Sequence, residues 1–143
     1  MAKRILVPLD RSEASTSVLP LVADIARSSG ATVRLLHVAP IPKERTTDDG
    51  RVVAYASQEM ERIEFSRLAY LKEAEARLDG VPVESVIRFG HPVEEIVREV
   101  DAFGADLVAV STEGRGWLGR LFGSVADRIF HKAGVPVMLL ATK

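Results

Sequence analysis

The sequence of 143 residues contains no cysteine. Disulfide staples, thiol nucleophiles and cysteine-ligated metals are therefore excluded, and the composition suits a reducing compartment. There is no excess of charge of either sign: 19 lysines and arginines stand against 20 aspartates and glutamates, so neither a nucleic acid nor an acidic membrane surface is an expected partner. Long hydrophobic runs are also missing. No stretch approaches the ~20 apolar residues of a membrane span, and the opening segment reaches Asp10 after too short an apolar run for a signal peptide. The expectation is a cytoplasmic protein with no membrane partner. Gly-x4-Gly-Lys-Ser/Thr occurs nowhere and no Gly-x-Gly-x-x-Gly follows the first apolar run, which disfavours P-loop kinases and dinucleotide redox enzymes. His37, His91 and His131 are far apart and show no ligand spacing, so no protein-held metal site is expected. The length is that of one domain, residues 1–143.

What is present alternates. Ile5 to Leu9 reads as a strand, and Ser12 then stands as a cap ahead of a helical apolar pattern at Val18, Leu19, Val22, Ile25 and Ala26. Pro20 kinks that helix, unless the regular part begins near it. Gly30 closes the helix, and Ala31 to Val38 is the second strand. Pro40 to about Gly50 reads as a mobile surface loop, followed by a long helix from about Val53 to Leu78 with Ile63, Leu68, Leu71 and Leu78 in its buried stripe. Val83 to Phe89 is a third strand of edge character. Pro92 opens a helix carrying Val93, Ile96, Val97 and Val100, and Gly104 ends it. Leu107 to Val110 is the fourth strand, a helix begins near Gly123-Ser124 with Val125, Ala126, Ile129 and Phe130 as its apolar positions, and Val137 to Leu140 is the fifth strand. Such alternation means an α/β fold: an open parallel five-stranded sheet with helices on both faces and a crevice at the carboxyl ends of its strands. Strand order 3-2-1-4-5 makes strands one and four neighbours where the order reverses.

The chain is organised around the stretch from Ala105 to Val125, in which a buried strand leads through a loop with glycines and two arginines into a helix start. Small residues let backbone amides approach an anion, and the first-turn amides of a helix point at it. A phosphorylated ligand fits this geometry, as does an ordinary turn.

The pattern resembles the universal stress protein family over nearly the whole chain. The residues that carry the likeness are Ile5-Leu6-Val7-Pro8-Leu9-Asp10-Arg11-Ser12-Glu13, Leu35-Leu36-His37-Val38, Gly90-His91-Pro92-Val93-Glu94-Glu95-Ile96, Ser111-Thr112-Glu113-Gly114-Arg115, Gly123-Ser124-Val125 and Val135-Pro136-Val137. The resemblance implies a Rossmann-like sheet of the adenine nucleotide alpha hydrolase type. It also implies an ATP-binding stress-response protein that acts as a homodimeric signalling or regulatory module, with ATP alone or together with magnesium. The implied ligand contacts are Pro8 and Asp10 after strand one, with Asp10 on the ribose; the backbone of Val38 at the adenine; and Ser111, Thr112, Gly114, Arg115, Gly123, Ser124 and Val125 around the phosphates. The implied dimer forms through the edge strand Val137–Leu140.

The chain departs from the family's Gly-x2-Gly-x9-Gly-Ser/Thr pattern twice: Ser111 replaces the first glycine, and eight residues rather than nine separate Gly114 from Gly123. These departures support an alternative, the same fold without nucleotide, acting as a dimeric interaction module. Asp10 and Ser124 read equally as helix caps, and Arg115 and Arg120 as solvated charges. Trp117 reads as a pocket lid or a partner-facing aromatic. No residue marks a dedicated catalytic base: Glu113 is the one loop carboxylate placed to orient water, so slow ATP hydrolysis is the most chemistry expected.

Overall fold

The structure, a computed structural model, describes residues 2–42, 45–46, 52–54, 56–111, 123, 126–132 and 134–140. In chain order the elements are β1 (Arg4–Pro8), α1 (Glu13–Thr16), α2 (Leu19–Ser29), β2 (Thr32–Ala39), β3 (Arg45–Thr46), β4 (Val52–Ala54), α3 (Ala56–Glu75), β5 (Val83–Phe89), α4 (Pro92–Phe103), β6 (Leu107–Ser111) and β7 (Val137–Leu140). Residues 126–132 are helical between the last two strands. Five strands form one sheet in the order β5-β2-β1-β6-β7, which is the expected 3-2-1-4-5 arrangement, and all its pairings are parallel.

Period-two alternation divides β1 between two cores. Ile5, Val7 and Leu9 pack with Val33 and Leu35 of β2 against α2 and the apolar positions Leu71, Ala74 and Leu78. Leu6 turns the other way and joins Leu36 and Val38 against Val93, Ile96 and Val100 of α4 and Ile129 of the last helical segment. Covering on both faces is why β1 reads as an unbroken apolar run. Truncating any of these fully buried leucines to alanine removes about 2–5 kcal/mol, the ordinary cost of a core cavity.

Proline 20 falls at the start of a helix, not inside one. Ser12 caps α1 by accepting from the Ser15 amide at 3.1 Å, α1 ends at Thr16, and α2 begins at Leu19 with Pro20 in its first turn, where a missing N–H costs nothing. Gly30 and Gly104 close their helices with φ of 71° and 70°, angles that favour glycine over any residue with a side chain.

Three expectations need correction. The segment read as a loop and helix start contains a short antiparallel pair, Arg45–Thr46 with Val52–Ala54, because the β-branched pair Val52-Val53 is taken up as strand; α3 runs only from Ala56 to Glu75. Leu68 is 38% exposed, since the face of α3 turned to the sheet runs through Arg67, Tyr70, Leu71 and Ala74. Phe130 is 64% exposed beside the buried Ile129.

Candidate functional site

The strand order reverses between β1 and β6. Arg4 accepts from Asp106 on the β6 side, whereas Leu9 donates to Leu36 of β2 at 2.8 Å, so alternate residues of β1 serve opposite neighbours. Pro8 falls on the β6 side and has no N–H to donate. The β1–β6 register accordingly covers only Ile5–Leu107 and Leu6–Val108, against five residue pairs between β1 and β2. The carboxyl edge beside Pro8, where open α/β sheets carry their ligand crevice, therefore lacks that ladder bond.

Asp10 stands at the mouth of that crevice, partly buried. Its Oδ1 accepts from the Ser12 amide at 3.0 Å and from the Ser12 hydroxyl at 2.5 Å, while its own amide donates to Ser15 Oγ at 3.2 Å. Asp10 thus orients the capping serine, so the cap reading expected for it is realised through Ser12, and its carboxylate is held in one direction. Arg11 between them has φ of 71°, a left-handed conformation that costs a residue with a side chain about 1–3 kcal/mol and persists where its surroundings over-determine it.

Strand alternation also aims Val38. Leu36 presents its carbonyl to β1, so Val38 two residues on points its backbone groups the same way, at the level where β1 has turned off into Asp10 and Arg11. Its side chain is buried. Ser111 ends β6 with its side chain buried, on the far side of the same opening. The structure therefore brings Pro8, Asp10, Val38 and Ser111 to one edge. Gly123 is helical and exposed. Thr112, Gly114, Arg115, Ser124 and Val125 lie outside the described residues, as do Glu113, Trp117 and Arg120.

A polar group that sequence reading did not assign to this edge sits beneath α3. His37 is buried, and its Nδ1 lies 2.8 Å from the Leu9 carbonyl; since a carbonyl only accepts, Nδ1 carries the proton and Nε2 is left as an acceptor. Arg67 of α3 reaches that nitrogen at 3.5 Å, and the Tyr70 ring meets the imidazole edge-on with centroids 6.2 Å apart. Burial holds His37 below its ordinary value, against the Leu9 hydrogen bond, with Arg67 and Arg11 pushing further down. Burial likewise raises the Tyr70 phenol. The available signal was a histidine inside the apolar run Leu35-Leu36-His37-Val38: a buried polar residue needs a partner on each ring nitrogen.

Among the described residues no group of three His, Asp or Glu side chains is arranged to hold a metal ion, and no helix is long and apolar enough to cross a membrane.

A model of the universal stress protein family matches residues 1–141. A Mycobacterium tuberculosis universal stress protein is 32% identical over 136 residues, 94% of this chain but 44% of the relative, so the chain spans about half the length of that protein. A Methanocaldococcus jannaschii universal stress protein is 28% identical over 157 aligned residues, covering 100% of this chain and 97% of the relative. Among solved structures, a universal stress protein in complex with cAMP superimposes with a TM-score of 0.71 at 24% identity, over 99% of each chain. The Archaeoglobus fulgidus universal stress protein in complex with dAMP gives 0.58 at 24% identity, over 96% of each chain.

Proposed function

Since the chain belongs to the universal stress protein family, we propose that it is a homodimeric stress-response module that binds ATP in the crevice between β1 and β6. The observation that carries this reading is the convergence of Pro8, Asp10, the Val38 backbone and Ser111 on the edge where the strand order reverses, the place at which open α/β sheets bind their ligands. Asp10 takes the ribose hydroxyls with an already oriented carboxylate, and Val38 meets the adenine through main-chain groups. Ser111, Thr112, Gly114, Arg115, Gly123, Ser124 and Val125 surround the phosphates. Adenine mononucleotides bound to proteins of the same fold, cAMP in one and dAMP in another, support the choice of base. The dimer forms through β7, an edge strand whose Leu139 is 46% exposed and whose outer backbone groups are offered for pairing.

Calorimetric titration of nucleotide-free protein with ATP, with AMP and GTP for comparison, tests the site, each with and without magnesium. One saturable ATP site per chain, weaker for GTP, is the expected result, with about 2.7 kcal/mol of added stability at a hundredfold excess over the dissociation constant. Gly123→Leu sharpens the test: among the described residues no atom lies within 4 Å of the Cβ position at Gly123. Loss of ATP binding with the melting temperature unchanged is expected, and equal affinity removes Gly123 from the site. A second reading rests on Ser111 and the eight-residue spacing from Gly114 to Gly123. Absence of ATP heat and of stabilisation selects it, leaving a dimeric interaction module without nucleotide.

A further inference from the structure

On the β2 side of the same edge, Arg11, Arg62, Ile63, Ser66 and Arg67 line a separate cavity of about 280 Å³. Pockets for drug-sized ligands begin near 300 Å³, so this volume suits a small molecule better than a nucleotide. Among the described residues its cations outnumber their partners. Arg62 pairs with Glu59 on the exposed surface of α3, whereas no ion pair joins Arg11 or Arg67 to a carboxylate among the described residues.

The two arginines are placed differently. Arg67 donates to the lone pair of His37, whose opposite nitrogen is tied to Leu9, and burial followed by the charge of Arg11 makes its cation harder to keep. Arg11 follows Asp10 in a left-handed turn, with its side chain exposed and on the lining of the cavity. Folding normally separates like charges or places an anion between them; here both arginines line one cavity, Arg67 against a buried imidazole. Planar forked donors of this kind match the oxygens of a phosphoryl group, and a dianion answers two guanidiniums better than a carboxylate does.

We propose that this cavity is a second binding site that takes a small phosphorylated molecule, its phosphoryl oxygens held by Arg11 and Arg67, with Arg62 and the Ser66 hydroxyl at the rim. The cavity uses none of the residues assigned to the nucleotide, but it adjoins them, since Arg11 follows Asp10 and Arg67 rests on His37 beside Val38; competition with ATP therefore belongs in its test.

Inorganic phosphate is the probe, titrated into the full chain in low-salt, chloride-free buffer by calorimetry and by thermal shift, with acetate as the carboxylate control and ATP as competitor. Saturable phosphate binding is expected, weakened at least tenfold by Arg67→Met and severalfold by Arg62→Gln, untouched by Gly123→Leu, and not matched by acetate. Arg62 is largely exposed, so its variant reports on the site even where Arg67→Met compromises folding. No saturable binding overturns the proposal, as does equal affinity in both arginine variants or acetate binding as tightly as phosphate. Displacement by ATP together with loss in Gly123→Leu also overturns it, because phosphate then occupies the nucleotide site.

Discussion

Two groups of three arginines sit on opposite faces of the sheet, and they differ in what answers their charge. On the α4 face, Arg34, Arg88 and Arg98 meet Glu84, Glu95 and Glu99: Arg34 reaches Glu99 and Glu84 at 2.6 Å each, Arg88 joins Glu99 at 2.5 Å and Glu95 at 3.4 Å, and Arg98 pairs with Glu95. Arg34 also lies over the Phe103 ring, 4.2 Å from its centroid. Burial pulls the Arg34 guanidinium down, but the hydrogen bonds it donates to Glu99 and Glu84, with their charge, outweigh burial and hold Arg34 above its ordinary value. On the α3 face the sign is reversed, since burial and then Arg11 hold Arg67 below. The same residue type is structural where carboxylates match it and is left with binding capacity where they do not.

The largest effect expected from this contrast is on stability. Arg34→Ala leaves the 2% exposed Glu99 with one fewer cation and removes the cover over Phe103. A loss of about 3 kcal/mol is expected in urea denaturation, the low end for breaking a buried pair because Arg88 remains. Arg67→Met, by contrast, relieves repulsion from Arg11 but takes the donor from His37 Nε2, and a loss of about 1 kcal/mol is expected. Equal losses in the two variants would break the comparison.

Next in size is an acid dependence centred on His37 of the α3 face. His37 binds its proton less readily folded than unfolded, so its contribution to stability is complete above its ordinary value of about 6.5 and is lost as pH falls below it toward the folded value. His37→Asn is expected to flatten the stability profile below pH 6.5, measured by thermal melts between pH 5 and 8. An unchanged slope would assign the acid sensitivity to other groups.

The smallest effect concerns Arg11. Arg11→Gly removes the cost of a left-handed residue, worth about 1 kcal/mol, partly offset by the freedom glycine adds to the unfolded chain. A gain of about 0.5 kcal/mol together with weaker phosphate binding is expected, a trade of function against stability. A loss of stability would mean that the Arg11 side chain itself holds the turn.

Much of this molecule was legible in order. The unbroken apolar runs of β1 and β6 marked strands covered on both faces, the glycines at 30 and 104 marked left-handed helix ends, and Pro92 marked a first turn. Leu68 misled because an apolar residue at helical spacing does not say how α3 is rotated, and rotation is settled by what the sheet offers it: Arg67 and Tyr70 turn inward because His37 is there. The opening beside Pro8 needed the sheet as well, since a proline ends pairing only with the neighbour its missing N–H would have faced.

Taken alone, the sequence determined the order of the five sheet strands, their parallel arrangement and the family likeness, because periodicity and turn chemistry are local and need no neighbours. Tertiary structure alone decided which arginines are neutralised. Arg34 and Glu99 are 65 residues apart, and Arg67 and His37 are 30 apart. Charge compensation acts through space at a few ångströms, so only packing determines which cations find a carboxylate and which are left facing a cavity.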